Sequence, residues 1–450
     1  MIEEAVATPV ESKLRVFDNH HPPAADLSSV CVHCGFCLQT CPTYTLWGKE
    51  MDSPRGRIHL MNMAMDGEVG LTDLFVSHFD HCLGCLACVT ACPSGIQYSK
   101  LIEAMRGQVE RLYQRPLRER IFRRMIAATF SRPKRLRKLA VALRAYQSLG
   151  LQRLAHALHL TSLLPQSLRT MERLMPDLSQ KESSAALPPR IAAEGEKRRT
   201  VAMVTGCVQS VFTAQVSAAT ARVLAAEGCD VLVPQDQGCC GALLLDLGQE
   251  KEALDMARKL IDVFEQMKVD AIVVNAAGCG AVLKDYGYLL RDDPKYRDRA
   301  MAFSAKCKDP SEILAGLPPR ATRHPIPLRV GFHDPCHLQH AQGLREPPRA
   351  MLRTIPGLQL VELPESALCC GSAGVYNLLQ PEAGHQLGER KVQNIISTHA
   401  QVVATGNPGC QLQISSVLNE KGQPLPVMHY MELLDQSISG NGSLHARNHG

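Results

Sequence analysis

The sequence predicts a multidomain α+β protein, with a helical domain first and two tandem α/β repeats after it. Three observations lead there. One cysteine pattern is written twice between Cys31 and Pro93. Apolar residues at helical spacing fill the interval between the two copies. Further on, apolar strand-like runs end at cysteines that recur at offsets of 129, 130 and 131 residues, the mark of a duplication. At 450 residues the chain is also too long for one ordinary core.

Cys31, Cys34, Cys37 and Cys41 precede Pro42 in CVHCGFCLQTCP, and Cys82, Cys85, Cys88 and Cys92 precede Pro93 in CLGCLACVTACP. Each reads C-x2-C-x2-C-x3-C-P, the spacing of ferredoxins that carry two [4Fe–4S] clusters. Three thiolates on one tight loop reach three corners of a cube, and the fourth, beyond the turn, reaches the other cube. The expected ligand sets are therefore crossed. Cluster 1 takes Cys31, Cys34, Cys37 and Cys92; cluster 2 takes Cys82, Cys85, Cys88 and Cys41. Zinc has no use for eight cysteines in this order. A disulfide framework suits small secreted chains.

Residues 1–25 read as an irregular lead-in, given the prolines of HHPPAAD. Residues 26–105 form the helical, ferredoxin-type domain. Pro54 marks one helix start, with Ile58, Leu60, Met61 and Met65 following; Leu71, Leu74, Phe75, His78 and Phe79 mark a second helix leading into Cys82. Residues 106–175 read as a basic helical segment, rich in arginine and poor in acids. It is either a docking face for an acidic partner or anionic membrane surface, or a solvated face with ordinary salt bridges. Residues 176–199, polar with paired prolines, read as a linker.

Repeat 1 covers residues 200–320 and repeat 2 residues 325–435. In repeat 1, TVAMVTG runs into Cys207 and CDVLVPQDQG into Cys239–Cys240–Gly241. A helix from Lys251 to Met267 then leads to DAIVVNAAG and Cys279. In repeat 2, LRVGFHDP runs into Cys336 and LQLVELPESAL into Cys369–Cys370–Gly371. A helix around His385–Ile396 leads to QVVATGNPG and Cys410. Alternating β and α calls for parallel or mostly parallel sheets, with the cysteines at strand ends, where such sheets place their sites. Residues 436–450 read as a disordered tail.

Each repeat thus offers four thiols: Cys207, Cys239, Cys240 and Cys279, then Cys336, Cys369, Cys370 and Cys410. Adjacent cysteines strain a disulfide but can bind neighbouring irons. Three readings stand: a further iron–sulfur cluster in one or both copies, a redox-active thiol pair, or buried structural cysteine. Cys229 reads as core ahead of a strand, and Cys307 has no assigned role. His333, His337 and His340 flank Cys336, as a ligand or proton relay or equally as hydrogen-bonding groups at a strand end. Asp334 and Pro335 are expected to shape the turn.

Composition narrows the function. Aromatic residues make up 4%, which argues against base stacking on nucleic acid. No apolar run is long enough to span a membrane, and MIEEAVATPVESK has neither the basic nor the apolar region of a signal peptide. Eighteen cysteines without a secretion signal point to a reducing compartment, hence a cytoplasmic protein, held on the inner membrane face if partners anchor it there. No G-x-G-x-x-G follows a strand and no P-loop occurs, so no flavin, nicotinamide or nucleotide site and no catalytic residue is read here. Ferredoxin-type clusters pass single electrons, whereas oxidising an organic substrate usually takes two, through a cofactor such as flavin.

CVHCGFCLQTCPTY, SPRGRI (Ser53–Ile58) and the two copies GC…GCCGA…GCGAVLKDYG and CHLQHAQ…LCCGSAG…GC together resemble the iron–sulfur subunit of glycolate oxidase (glycolate dehydrogenase) over about residues 26–435. The resemblance implies two tandem cysteine-rich CCG domains. It also implies partner subunits carrying FAD, oxidation of glycolate to glyoxylate, and electron flow towards a quinone. Proteins of the same domain order serve lactate and glycerol-3-phosphate dehydrogenases and heterodisulfide reductases. The reductases have an extra cysteine three residues before the last one; here those positions hold Ala276 and Asn407, which leaves four cysteines per copy.

Overall fold

The computed structural model describes residues 15–176 and 187–440. Residues 1–14 of the lead-in, residues 177–186 of the expected linker and residues 441–450 of the expected tail lie outside them.

The N-terminal domain is helical, as its apolar spacing requires. Ser53 caps the helix Pro54–Met65, its hydroxyl accepting from the Gly56 N–H, with Pro54 in the first turn. Thr72 caps the helix Asp73–Asp80 in the same way, accepting from Phe75 N–H. Ile58, Met61, Phe75, Phe79, Leu101 and Met105 pack as its core. The helix Tyr98–Leu112 runs through the boundary expected at residue 105. It holds the lead-in: Asp18 pairs with Arg111 at 2.8 Å and accepts from Gln108 at 2.8 Å.

Helices Leu117–Phe130, Pro133–Ser148, Leu151–Ala157 and Gln166–Arg173 follow. Part of the basic charge is neutralised internally. Arg115 and Arg123, both buried, pair with Asp80 at 2.7 and 3.1 Å and share Glu119. Leu117, Ile121 and Met125, four residues apart on one helix, are exposed among Arg118, Arg120 and Arg124.

Repeat 1 builds a five-stranded sheet from β1 (Arg190–Ile191), β2 (Arg199–Val204), β3 (Cys229–Leu232), β4 (Ala271–Val274) and β5 (Cys307–Lys308), in the order β1-β3-β2-β4-β5. Only β1 is antiparallel. It lies inside the stretch expected to be linker, and its two residues are too few to show a strand period. Cys229 opens β3 and Cys307 opens β5, both buried in the sheet.

Repeat 2 gives a four-stranded parallel sheet from β6 (Arg329–Phe332), β7 (Gln359–Glu362), β8 (Val402–Thr405) and β9 (Val427–His429), in the order β7-β6-β8-β9. The helix Tyr430–Ser439 then packs on the helix Ala214–Ala226 of repeat 1, with Arg222 paired to Asp435 at 2.6 Å. This helix carries ordered structure past residue 435, where a disordered tail was expected.

In both sheets the chain adds a strand on one side of the central strand and then crosses to the other, β3 then β4 about β2 and β7 then β8 about β6, so the crevice of each lies at the strands' C-terminal ends. Those ends face each other and the N-terminal domain. Ala277 N–H donates to Gly406 O at 3.1 Å and Gly278 N–H to Asn407 Oδ1 at 3.2 Å. Arg106 donates to Cys82 O at 2.8 Å within the helical domain and reaches across to Asp246 of repeat 1 at 3.1 Å.

Candidate metal centres

The two N-terminal loops enclose two small spaces. One is lined by Cys31, Cys34 and Cys37 and, from the second loop, Cys88 and Cys92. The other is lined by Cys82, Cys85 and Cys88 and, from the first loop, Cys41. Each fourth cysteine therefore stands with the triad of the opposite loop. Left-handed backbone at His33, Gly35, Gly84 and Leu86 turns the chain sharply at both sites. Gly84 N–H donates to Cys82 Sγ at 3.4 Å, and Tyr98 OH lies 3.7 Å from the same sulfur.

The donor chemistry fits iron–sulfur clusters. Burial pushes the Cys85 and Cys88 thiols well up, so iron binding there must displace protons. The SPRGRI stretch supplies charge beside both spaces. Gly56 sits against Glu50 O so closely that a Cβ there would meet it at 2.0 Å. That close approach places two arginines. Arg55 pairs with Glu50 at 2.6 Å and donates to His33 O at 2.9 Å over the first loop. Arg57 is 1% exposed; it donates to His78 O at 2.5 Å and to Thr43 Oγ1 at 3.2 Å, and stands 3.6 Å from Asp52. Thr43 Oγ1 lies 3.2 Å from Cys41 Sγ. Asp52 also accepts from His78 and His81, each at 3.0 Å, and these partners hold its carboxyl below the usual range despite burial.

The repeat cysteines are gathered as well. In repeat 1 the thiols form a chain of contacts from Cys207 through Cys239 and Cys240 to Cys279, with 3.4 Å between the sulfurs of Cys207 and Cys239. Sharing protons this way holds the Cys239 thiol well down and its neighbours up. In repeat 2 the chain runs from Cys336 through Cys369 and Cys370 to Cys410. Gly241 and Gly371, both left-handed, press on Ala253 O and Gly384 O, where a Cβ would sit at 3.0 and 2.2 Å. The second C of each CCG is held against its own helix by that contact.

The two sets face different neighbours. All four repeat 1 cysteines line a cavity of about 350 Å³, together with Cys336 and Cys410 of repeat 2. Glu103, Arg106 and Asp285 also line it. Burial raises Glu103 to about 8 and Asp285 to about 6. In repeat 2, Cys336 and Cys369 pack with Cys85 of the N-terminal domain.

The three histidines separate. His337 contacts Gly84 O at 2.9 Å and His340 contacts Thr90 Oγ1 at 2.8 Å, so both tie repeat 2 to the loop of Cys82–Cys88. His333 is buried beside Cys370 and Cys410. Asp334 does more than shape a turn: Arg349 grips its carboxylate at 2.7 Å on both oxygens and holds Glu362 as well. Arg57 and Lys391 escaped sequence reasoning altogether. The only available signal for Arg57 was its place in SPRGRI.

Comparison with known proteins agrees with this layout. Residues 28–96 match the family described as 4Fe-4S dicluster domain. Residues 118–175 match the linker region of the glycolate oxidase iron-sulfur subunit, and residues 201–284 and 330–415 each match the cysteine-rich domain. The chain is 36% identical over 420 residues to the glycolate oxidase iron-sulfur subunit of Escherichia coli (strain K12), covering 92% of this chain and 95% of that one. It is 35% identical over 396 residues to the probable glycolate oxidase iron-sulfur subunit of Bacillus subtilis (strain 168), covering 87% and 89%. Lactate utilization protein A of Exiguobacterium sp. is 29% identical over 239 residues, covering 53% of this chain and 98% of that one.

Proposed function

The chain belongs to the family of glycolate oxidase iron–sulfur subunits, and from that premise we propose that it takes electrons from a flavin on a partner subunit and delivers them towards a quinone-type acceptor. Oxidising glycolate to glyoxylate releases two electrons and two protons. The partner's FAD would accept the pair, and two [4Fe–4S] clusters supply single-electron transfer away from it.

The observation that carries this reading is the unbroken line of cysteine sites. Cys31, Cys34, Cys37 and Cys92 are expected to hold cluster 1; Cys82, Cys85, Cys88 and Cys41 are expected to hold cluster 2. Cys88 borders both spaces, and Cys85 shares one buried cluster with Cys336 and Cys369 of repeat 2. This chain's own residues bury Cys41, Cys82, Cys85 and Cys88, set the Arg57 charge beside them, and lock the domains with Arg106, His337 and His340. The exposed row Leu117, Ile121 and Met125 among arginines supports a docking face for a partner or the inner membrane surface. Among the described residues no helix is long and apolar enough to cross a membrane.

A second reading has one observation in its favour. The cavity of about 350 Å³ is of ligand size and is lined by six repeat cysteines. On that reading the repeats reduce a small acceptor there, as a heterodisulfide reductase would.

The test is a tagged chain purified anaerobically from its own cells with its partners. Dye reduction is then measured with glycolate, D-lactate and glycerol-3-phosphate. Glycolate-dependent reduction with flavin in the preparation is expected, and Cys82→Ser should abolish it. Preference for lactate or glycerol-3-phosphate would reassign the substrate. Unaltered turnover in Cys82→Ser would end the electron-transfer reading.

A further inference from the structure

Repeat 2 differs from repeat 1 at two buried positions beside its cysteines, and both differences have the chemistry of a metal centre. His333 follows β6 directly and is 1% exposed. Neither of its ring nitrogens has a hydrogen-bond partner. A ring nitrogen of His333 and the sulfurs of Cys370 and Cys410 all lie within 4.8 Å of one another. A buried imidazole ordinarily keeps at least one hydrogen bond, and one that has none but faces two thiols is placed as a ligand is placed.

Lys391 is the second difference. It is wholly buried on the helix Pro381–Ser397, and its ammonium donates to Glu365 O at 2.7 Å. It makes no ion pair among the described residues. The nearby carboxylates are already engaged, Glu365 by Arg390 and Asp334 by Arg349. Burial pushes its pKa down, and the groups that most oppose that shift are Cys370 and Cys369. A buried ammonium needs a negative neighbour, and thiolates bound to iron are one.

Repeat 1 lacks both. Val204 stands three residues before Cys207, as His333 stands three before Cys336. Gly241 contacts Ala253 as Gly371 contacts Gly384, and seven residues further along the same helices stand Leu260 and Lys391. The duplicated sites are therefore not equivalent.

We propose that repeat 2 holds an iron–sulfur cluster on Cys336, Cys369, Cys370 and Cys410 with His333 as an additional nitrogen ligand, and that Lys391 balances its charge. This rests on the reading of the repeat 2 thiols as cluster ligands. A neutral imidazole adds no negative charge where a further thiolate would, which eases reduction, as histidine ligation does in Rieske centres. Because Cys336 and Cys369 pack against Cys85, this centre stands next in line after cluster 2.

The experiment uses the full chain, purified anaerobically with its native clusters from cells fed natural-abundance or 15N-labelled histidine. Iron is counted, and the reduced protein is read by pulsed EPR. The expected result is iron above the roughly eight per chain of two [4Fe–4S] clusters, with a third signal whose nitrogen coupling changes with the isotope. His333→Cys should keep that iron, lose the coupling and lower the midpoint potential of the third signal. Lys391→Met should lower the same potential and leave the coupling in place. Val204→His should change neither. Wild-type iron of about eight or less would overturn the cluster in repeat 2 and the reading it rests on. Extra iron without isotope-sensitive coupling, or coupling that survives His333→Cys, would overturn the histidine ligand alone.

Discussion

Removing the buried charge at Arg57 should shift the potential of the cluster expected on Cys82, Cys85, Cys88 and Cys41. Two contacts of 3.2 Å, from guanidinium to Thr43 Oγ1 and from there to Cys41 Sγ, place the charge no further than about 6.4 Å from that sulfur. At an effective dielectric of about 20, a unit charge at this range contributes roughly 2–3 kcal/mol to the added electron. For one electron that is roughly 100 mV. Arg57→Met should therefore lower the midpoint potential of one cluster by about that amount and leave the other nearly unchanged. Potentiometric titration followed by EPR on the anaerobic protein measures both. Met also removes the guanidinium 3.6 Å from the buried Asp52 carboxylate, so stability should fall by roughly 3 kcal/mol. Arg57→Lys guards against simple loss of the cluster, because it keeps the charge and should hold the potential to within about 30 mV. Two loaded clusters in Arg57→Met with unshifted potentials would refute the electrostatic argument.

Three further outcomes are expected. Cys92→Ser should weaken the same EPR signal as Cys34→Ser, and Cys41→Ser the same signal as Cys85→Ser; the opposite grouping would overturn crossed ligation. Glu103, raised to about 8 by burial with Oε2 unpartnered, keeps a proton in the folded state that the unfolded chain loses near 4.5. Stability should consequently fall as pH rises from about 4.5 to 8 and then level. Glu103→Gln should flatten that slope and raise Tm at pH 9 by about 2–4 °C, as followed by scanning calorimetry; an unchanged slope would contradict it. Gly56→Ala forces a Cβ to within 2.0 Å of Glu50 O, so it should cost about 1–3 kcal/mol and lower iron content; full loading at wild-type Tm would show that the loop yields.

What the sequence disclosed depended on how local the chemistry is. Metal-ligand spacing is written within a few residues, so both ferredoxin-type loops were legible before any fold was known. The repeat was legible because each copy ends the same strands in the same residue type. Long-range pairings were not. Asp18 clasps Arg111, and Asp80 neutralises Arg115 and Arg123, across dozens of residues. A charge run therefore looked freer than it is. β1 was hidden by its two-residue length and by polar neighbours. The helix Tyr430–Ser439 outran its expected end because its buried face meets repeat 1 through Met431 and Leu434, and left-handed Gly440 ends it only afterwards. His333 was visible as a residue but its isolation was not, since an absent hydrogen bond has no sequence signature.

The central claim is that this chain takes electrons released by glycolate oxidation. The most direct measurement mixes the native complex anaerobically with glycolate and freezes it at intervals for EPR. The account predicts cluster signals that grow as the partner's flavin is reduced and that vanish selectively in Cys82→Ser and Cys34→Ser. Flavin reduced by glycolate with both clusters intact yet still oxidised would contradict it.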